Sequence, residues 1–259
     1  MNRPQASNQR WYQPVLSAEH GASVSLAVCF LLGAFLAGQW NTATTLALVT
    51  TFAGFQFPTP LTRMIRRRKI ELRLAVWTVF YGLVAAIGAL WLWQRVPAVS
   101  RVLVVAVTVM VINLVWVYIR DQKSVPNEIA VFTGLCLALP LSYTAGTGFM
   151  AQALLGWWVL ATLVLSSSVF TVRLRLFGDQ ATAKAAAYHI VALAIIFFLV
   201  QVRLLQPALA FTFLIPLTKL VVILLGLERY RRMKLTSIGF LETGLAILFA
   251  VWVGLVVTG

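Results

Sequence analysis

Seven acidic residues and two histidines are the whole acid–base inventory of a 259-residue chain. Their placement is uneven. Glu19 and His20 stand side by side in "LSAEHGASVSLAVCFLLGAF", at the entrance of a long apolar run. Glu128 follows Pro126 and Asn127 at the start of another such run. His189 and Glu242 each lie about one turn inside further runs, and Arg173, Arg175 and Lys219 bring cations to the same depth. An ionisable side chain inside a membrane span costs about 2.5–3.5 kcal/mol on insertion scales, and it normally faces the bundle interior. Glu19, His20, His189 and Glu242 could therefore do acid–base work on one polar wall, while Glu128, Arg173, Arg175 and Lys219 meet the head of a ligand.

Each of these residues also has a plainer reading. Glu19 and Glu128 are first-turn acids favoured by the helix dipole, and Glu128 follows residues that open helices well. His20 reads as an interfacial residue, and His189 as a histidine bonded to a neighbour. Lys219 and Glu242 could pair as structural glue. Asn113 reads as an interhelical hydrogen bond, and "SSSVFT" at 166–171 as small residues for close helix approach.

What positions these groups is a set of apolar helices. The hydrophobic fraction is 61% against about 45–50% in soluble domains, and charged residues make up 11% against about 25%. With a mean hydropathy of +0.89, the composition is that of an integral membrane protein. Long apolar runs between short polar breaks predict helices, whereas barrel strands would alternate over about 10 residues. Nine spans are expected, at 22–39, 42–57, 74–94, 102–118, 128–146, 151–172, 185–202, 205–226 and 238–258. Pro207 and Pro216 predict a kink in the eighth. The chain reads as one transmembrane domain, 1–259, with a cytoplasmic segment over 1–18 and no removable signal peptide.

The net charge of +14 follows the loops. Arg3 and Arg10, the run from Arg63 to Arg73, Arg120 and Lys123, Arg173 to Lys184, and Arg229 to Lys234 share one side under this layout. Only Arg95, Arg101 and Arg203 fall on the other, and Lys219 lies within a span. Cytoplasmic loops retain Lys and Arg, so the N-terminus is expected inside and the C-terminus outside a bacterial-type plasma membrane. The basic loops read as topology determinants that touch anionic lipid head groups, not as a nucleic-acid surface. Every acid or histidine near a span then lies toward the cytoplasm, and the outer side has nothing comparable.

Several chemistries lack their motifs: no glycine-rich phosphate loop, no HExxH, no CxxC, and no paired histidines at haem spacing. No metal set is expected, and the sequence leaves the cofactor open. Cys29 and Cys136 fall in apolar runs and read as small buried hydrophobes.

"EHGA" (19–22), "VRLR" (172–175), "AYH" (187–189) and "IGFLE" (238–242) together resemble the YwiC-like family of bacterial membrane proteins. Where that family tends to have an aromatic after the tetrad, this chain has Ser23. The resemblance implies a multispanning membrane protein and no particular activity. The nine-span layout also resembles the UbiA-type prenyltransferase bundle, whose aspartate-rich inner loops bind Mg²⁺. The corresponding loops here, 58–73 and 173–184, have one aspartate between them, Asp179, so magnesium–diphosphate chemistry is not expected. Three readings remain open. The leading one is a lipidic or isoprenoid-type small molecule bound in a polar, cytoplasm-facing cavity. The alternatives are a small-molecule transporter or exporter, against which stands the lack of an inverted repeat, and a non-catalytic membrane subunit of a larger complex.

Overall fold

The computed structural model describes residues 12–17 and 19–259; Arg3, Arg10 and most of the expected cytoplasmic segment lie outside the described residues. The fold is all-helical, 84% helix, with no strand among the described residues. The first half comprises α1 (His20–Leu36), α2 (Thr42–Gln56), α3 (Pro58–Arg67), α4 (Leu72–Arg95), α5 (Ser100–Tyr118), α6 (Val125–Cys136) and α7 (Ala138–Thr147). The second comprises α8 (Ala153–Phe177), α9 (Thr182–Gln201), α10 (Pro207–Ala210), α11 (Leu214–Leu225), α12 (Leu227–Arg232) and α13 (Leu235–Thr258).

Helix boundaries follow local chemistry. Asn41 caps α2 by accepting the Thr44 N–H at 2.9 Å. Pro58 opens α3, and Arg68 ends it in the left-handed conformation. Pro140 has no N–H to offer the Cys136 carbonyl, which divides the fifth apolar run into α6 and α7. The kink expected near Pro207 and Pro216 is a short α10, a 3₁₀ turn over Phe211–Phe213, and then α11.

Six segments among the described residues are long and apolar enough to cross a bilayer, and one of them, Ala153–Gln201, contains both α8 and α9. At 17 and 15 residues, α1 and α2 are shorter. A helix thus occupies every expected apolar run, while the length and apolarity of a span are met six times. Large apolar side chains such as Val104, Phe197 and Leu255 point outward, each about two-thirds exposed. Without water-soluble partners, that surface belongs in lipid, as in an integral membrane protein.

Close packing relies on small residues where helices cross. A Cβ on Gly33 of α1 would collide with the Leu139 carbonyl of α7, and one on Gly156 of α8 would collide with the Leu204 carbonyl after α9. Lipid offers no hydrophobic drive between helices, so such close approaches and interhelical hydrogen bonds do the holding. Ser142 of α7 donates to the Phe30 carbonyl of α1 at 2.8 Å. Asn113 of α5 donates to Asn127 of α6 at 3.3 Å, the interhelical bond its position predicts. Cys29 and Cys136 are free, fully buried and side by side.

One end of the bundle gathers the charged loops. Arg73 donates to the Gln13 and Pro14 carbonyls, Arg173 to Lys123, and Arg175 to Met233. These bonds tie segments distant in sequence into one charged rim.

Candidate functional site

Just inside that rim, α8, α11 and α13 meet around an ion pair. Lys219 of α11 donates to both carboxylate oxygens of Glu242 on α13, at 3.1 and 3.0 Å. Lys219 also donates to Ser167 of α8 at 3.2 Å, and Thr171, one turn along α8, donates to Glu242 at 3.2 Å. The two hydroxyls are four residues apart, so one face of α8 presents both. The Lys219 side chain is 5% exposed and that of Glu242 is 20%. A single charge at this depth is expensive, and these partners offset that cost.

Aromatic and imidazole groups from α9 pack beside α8. His189 is 2% exposed, donates from Nδ1 to the Ala185 carbonyl at 2.8 Å, and lies within electrostatic reach of Lys219. Its neighbour Tyr188 stacks on Phe170 and donates to the Leu163 carbonyl at 2.6 Å. Toward the rim, Tyr230 of α12 is buried; burial pushes its phenol up to about 12, and the nearby Glu242 carboxylate adds to the shift. A cavity of about 20 Å³ touches Lys219 and Glu242 and is otherwise walled by apolar residues including Val164, Ile215 and Leu245. That is room for about one water molecule.

The remaining expected site residues are placed elsewhere. Arg173 pairs with Glu128 at 2.9 Å, both about a quarter exposed, linking α8 to the first turn of α6. Arg175 bonds to the Met233 carbonyl and so holds the turn before α13. Glu19 and His20 are exposed at the start of α1, where the Glu19 carbonyl accepts the Ser23 N–H and hydroxyl. The structure thus pairs Lys219 with Glu242, with His189 within electrostatic reach of Lys219, and separately pairs Glu128 with Arg173. No such contact joins Glu19 or His20 to either group among the described residues. Ser167, Thr171, Tyr188 and Tyr230 were not anticipated as site residues. The signal for the first two was the run of small polar residues in "SSSVFT", which reads equally well as packing. Among the described residues, no three His, Cys, Asp or Glu side chains could hold a metal ion together.

A larger cavity, about 360 Å³, opens at the opposite end of the bundle, where no site was expected.

Residues 16–143 match the family described as YwiC-like protein. That stretch, just under half of the chain, is similar to the YwiC-like family. The matched part holds the EHGA tetrad and runs from before α1 into α7. The resemblances in "VRLR", "AYH" and "IGFLE", and the Lys219–Glu242 pair itself, lie beyond it. No curated protein matches the chain, and no solved structure does.

Proposed function

We propose that this YwiC-like protein is a membrane carrier for a small solute, with Lys219 and Glu242 as its protonation-linked element. The observation that supports this most is the buried Lys219–Glu242 pair itself, braced by Ser167 and Thr171 and neighboured by His189. Intramembrane acid, base and imidazole groups close together are the usual parts of a proton relay. A proton arriving at Glu242 would release Lys219, and the pair would then re-form when the proton leaves toward the rim. In this reading the protein has nine spans in a bacterial-type inner membrane, N-terminus inside and C-terminus outside, and the basic rim rests on anionic lipid head groups.

A second reading draws on the apolar walls of the cleft between α8, α11 and α13. A lipidic or isoprenoid-type molecule could enter from the bilayer with its head at Lys219, Glu242 and His189, in a UbiA-like arrangement without magnesium–diphosphate chemistry. Pockets for ligands of that size are typically about 300–1,000 Å³, so the cleft of about 20 Å³ would have to open.

The experiment is an acid jump on proteoliposomes loaded with a pH-sensitive dye, with and without a filtered metabolite extract on the far side. The carrier predicts proton uptake above that of protein-free liposomes, lost in Glu242→Gln. Uptake equal in both proteins would refute it. A lipid that stays bound to the wild type in native mass spectrometry and leaves in Glu242→Gln would favour the second reading.

A further inference from the structure

The cavity of about 360 Å³ lies where the α1–α2 connection, the end of α4 and the end of α7 come together, at the end of the bundle away from the charged rim. Its size falls in the range of small-molecule pockets. Arg95 lines it and carries its only formal charge. Among the described residues Arg95 makes no ion pair, and its guanidinium rests over the ring of Trp91, one turn back on α4, at 5.3 Å. No acidic side chain lines the cavity.

The polar surface here is arranged to donate. The C-terminal end of α7 would ordinarily present carbonyls to it, but Gln39 and Asn41 both donate to the Gly146 carbonyl at 2.8 Å. Asn41 in turn caps α2, whose first residues Thr42 and Ala43 line the cavity; the N–H groups of a first helical turn have no helical carbonyl to bond. The exposed guanidinium of Arg95, resting on Trp91, and the first residues of a 15-residue helix thus line one hollow. Trp91, Leu46 and Val96 add apolar surface to the lining.

We infer that this cavity is a binding site for an amphipathic oxyanion, its phosphate or carboxylate on Arg95 and the start of α2, its apolar part against Trp91 and Leu46. The site is independent of the Lys219–Glu242 pair and stands whether or not that pair moves protons. A phosphate could come from a lipid head group at the membrane surface or from a free anion; the chemistry on the protein is the same.

The test uses the full-length protein with two probes. Inorganic phosphate is titrated against the detergent-solubilised protein by thermal unfolding. Phosphatidylglycerol is compared with phosphatidylcholine in nanodiscs by native mass spectrometry of retained lipid. At least one anionic probe is expected to bind the wild type, and Arg95→Gln should weaken it at least tenfold, with Arg95→Lys restoring part of the affinity. Thr42→Pro suits the first helical position but removes an N–H and a hydroxyl, so it should weaken binding while leaving α2 intact. Arg101→Gln, a charge change near the same end, should bind as the wild type does. Response to phosphatidylglycerol alone assigns the site to a lipid head group, and response to phosphate assigns it to a free anion. Binding of neither probe, equal binding by folded Arg95→Gln, or an equal loss in Arg101→Gln would overturn the site.

Discussion

Removing one member of the Lys219–Glu242 pair should cost far more stability than removing both. At 3.0 Å and an effective dielectric constant of about 20, the attraction between the two charges is on the order of 5 kcal/mol, most of it spent against desolvation. Glu242→Gln leaves the ammonium of Lys219, 5% exposed, with Ser167 as its remaining strong partner. The expected loss is about 3–5 kcal/mol, the range for an orphaned buried charge. Lys219→Met leaves Glu242, which is more exposed at 20% and can take up a proton while keeping its bond to Thr171. That loss should be smaller, on the order of 1–3 kcal/mol. The double variant Lys219→Met/Glu242→Leu fills the same space with apolar atoms and should lie within about 1 kcal/mol of the wild type. Reversible unfolding in mixed micelles, run as a double-mutant cycle, reads all three. Single variants as stable as the wild type, or a double variant destabilised by the sum of the singles, would refute the reasoning.

Other expectations concern the surroundings of the pair and the packing that holds it. Ser167→Ala removes a 3.2 Å hydrogen bond to an ammonium and should cost about 1.5 kcal/mol by the same unfolding assay, the low end for bonds to charge. Gly156→Ala drives a methyl into the Leu204 carbonyl and should cost about 1–3 kcal/mol through overpacking, visible as a lower thermal midpoint in detergent. The Tyr230 phenol, held up at about 12, stays protonated in the fold while an unfolded tyrosine titrates near 10. Its stabilising contribution is therefore complete below about pH 10 and is lost as pH rises toward 12. Ultraviolet titration should show a late phenolate component near that upper value that is absent in Tyr230→Phe.

The membrane architecture was legible because apolar runs of span length leave little choice of structure. Every expected run holds a helix, and a 3₁₀ turn interrupts the one that carries Pro207 and Pro216. The division at Pro140 was not read, because the run from 128 to 146 stays apolar across it and hydropathy does not register a missing N–H. The Lys219–Glu242 pair was visible as an oddity, two charges where none is cheap, and it could be named as a possible partnership. Its braces were not visible, since Ser167 and Thr171 are of types that also serve close helix packing. Glu19 and His20 looked like a site because they are scarce and adjacent, yet at a helix start the favourable dipole accounts for an exposed acid. The cavity beside Arg95 escaped notice for a different reason: it is built from three segment ends and backbone amides, and no residue type announces it.

The measurement that bears most directly on the carrier is acid-jump proton uptake by proteoliposomes of the Lys219→Met/Glu242→Leu variant, after its fold has been shown to match the wild type. The wild type should take up protons in the presence of its solute, and the folded double variant should match empty liposomes. Uptake by the double variant at the wild-type rate would mean that the pair only holds helices together, and the carrier mechanism would fall.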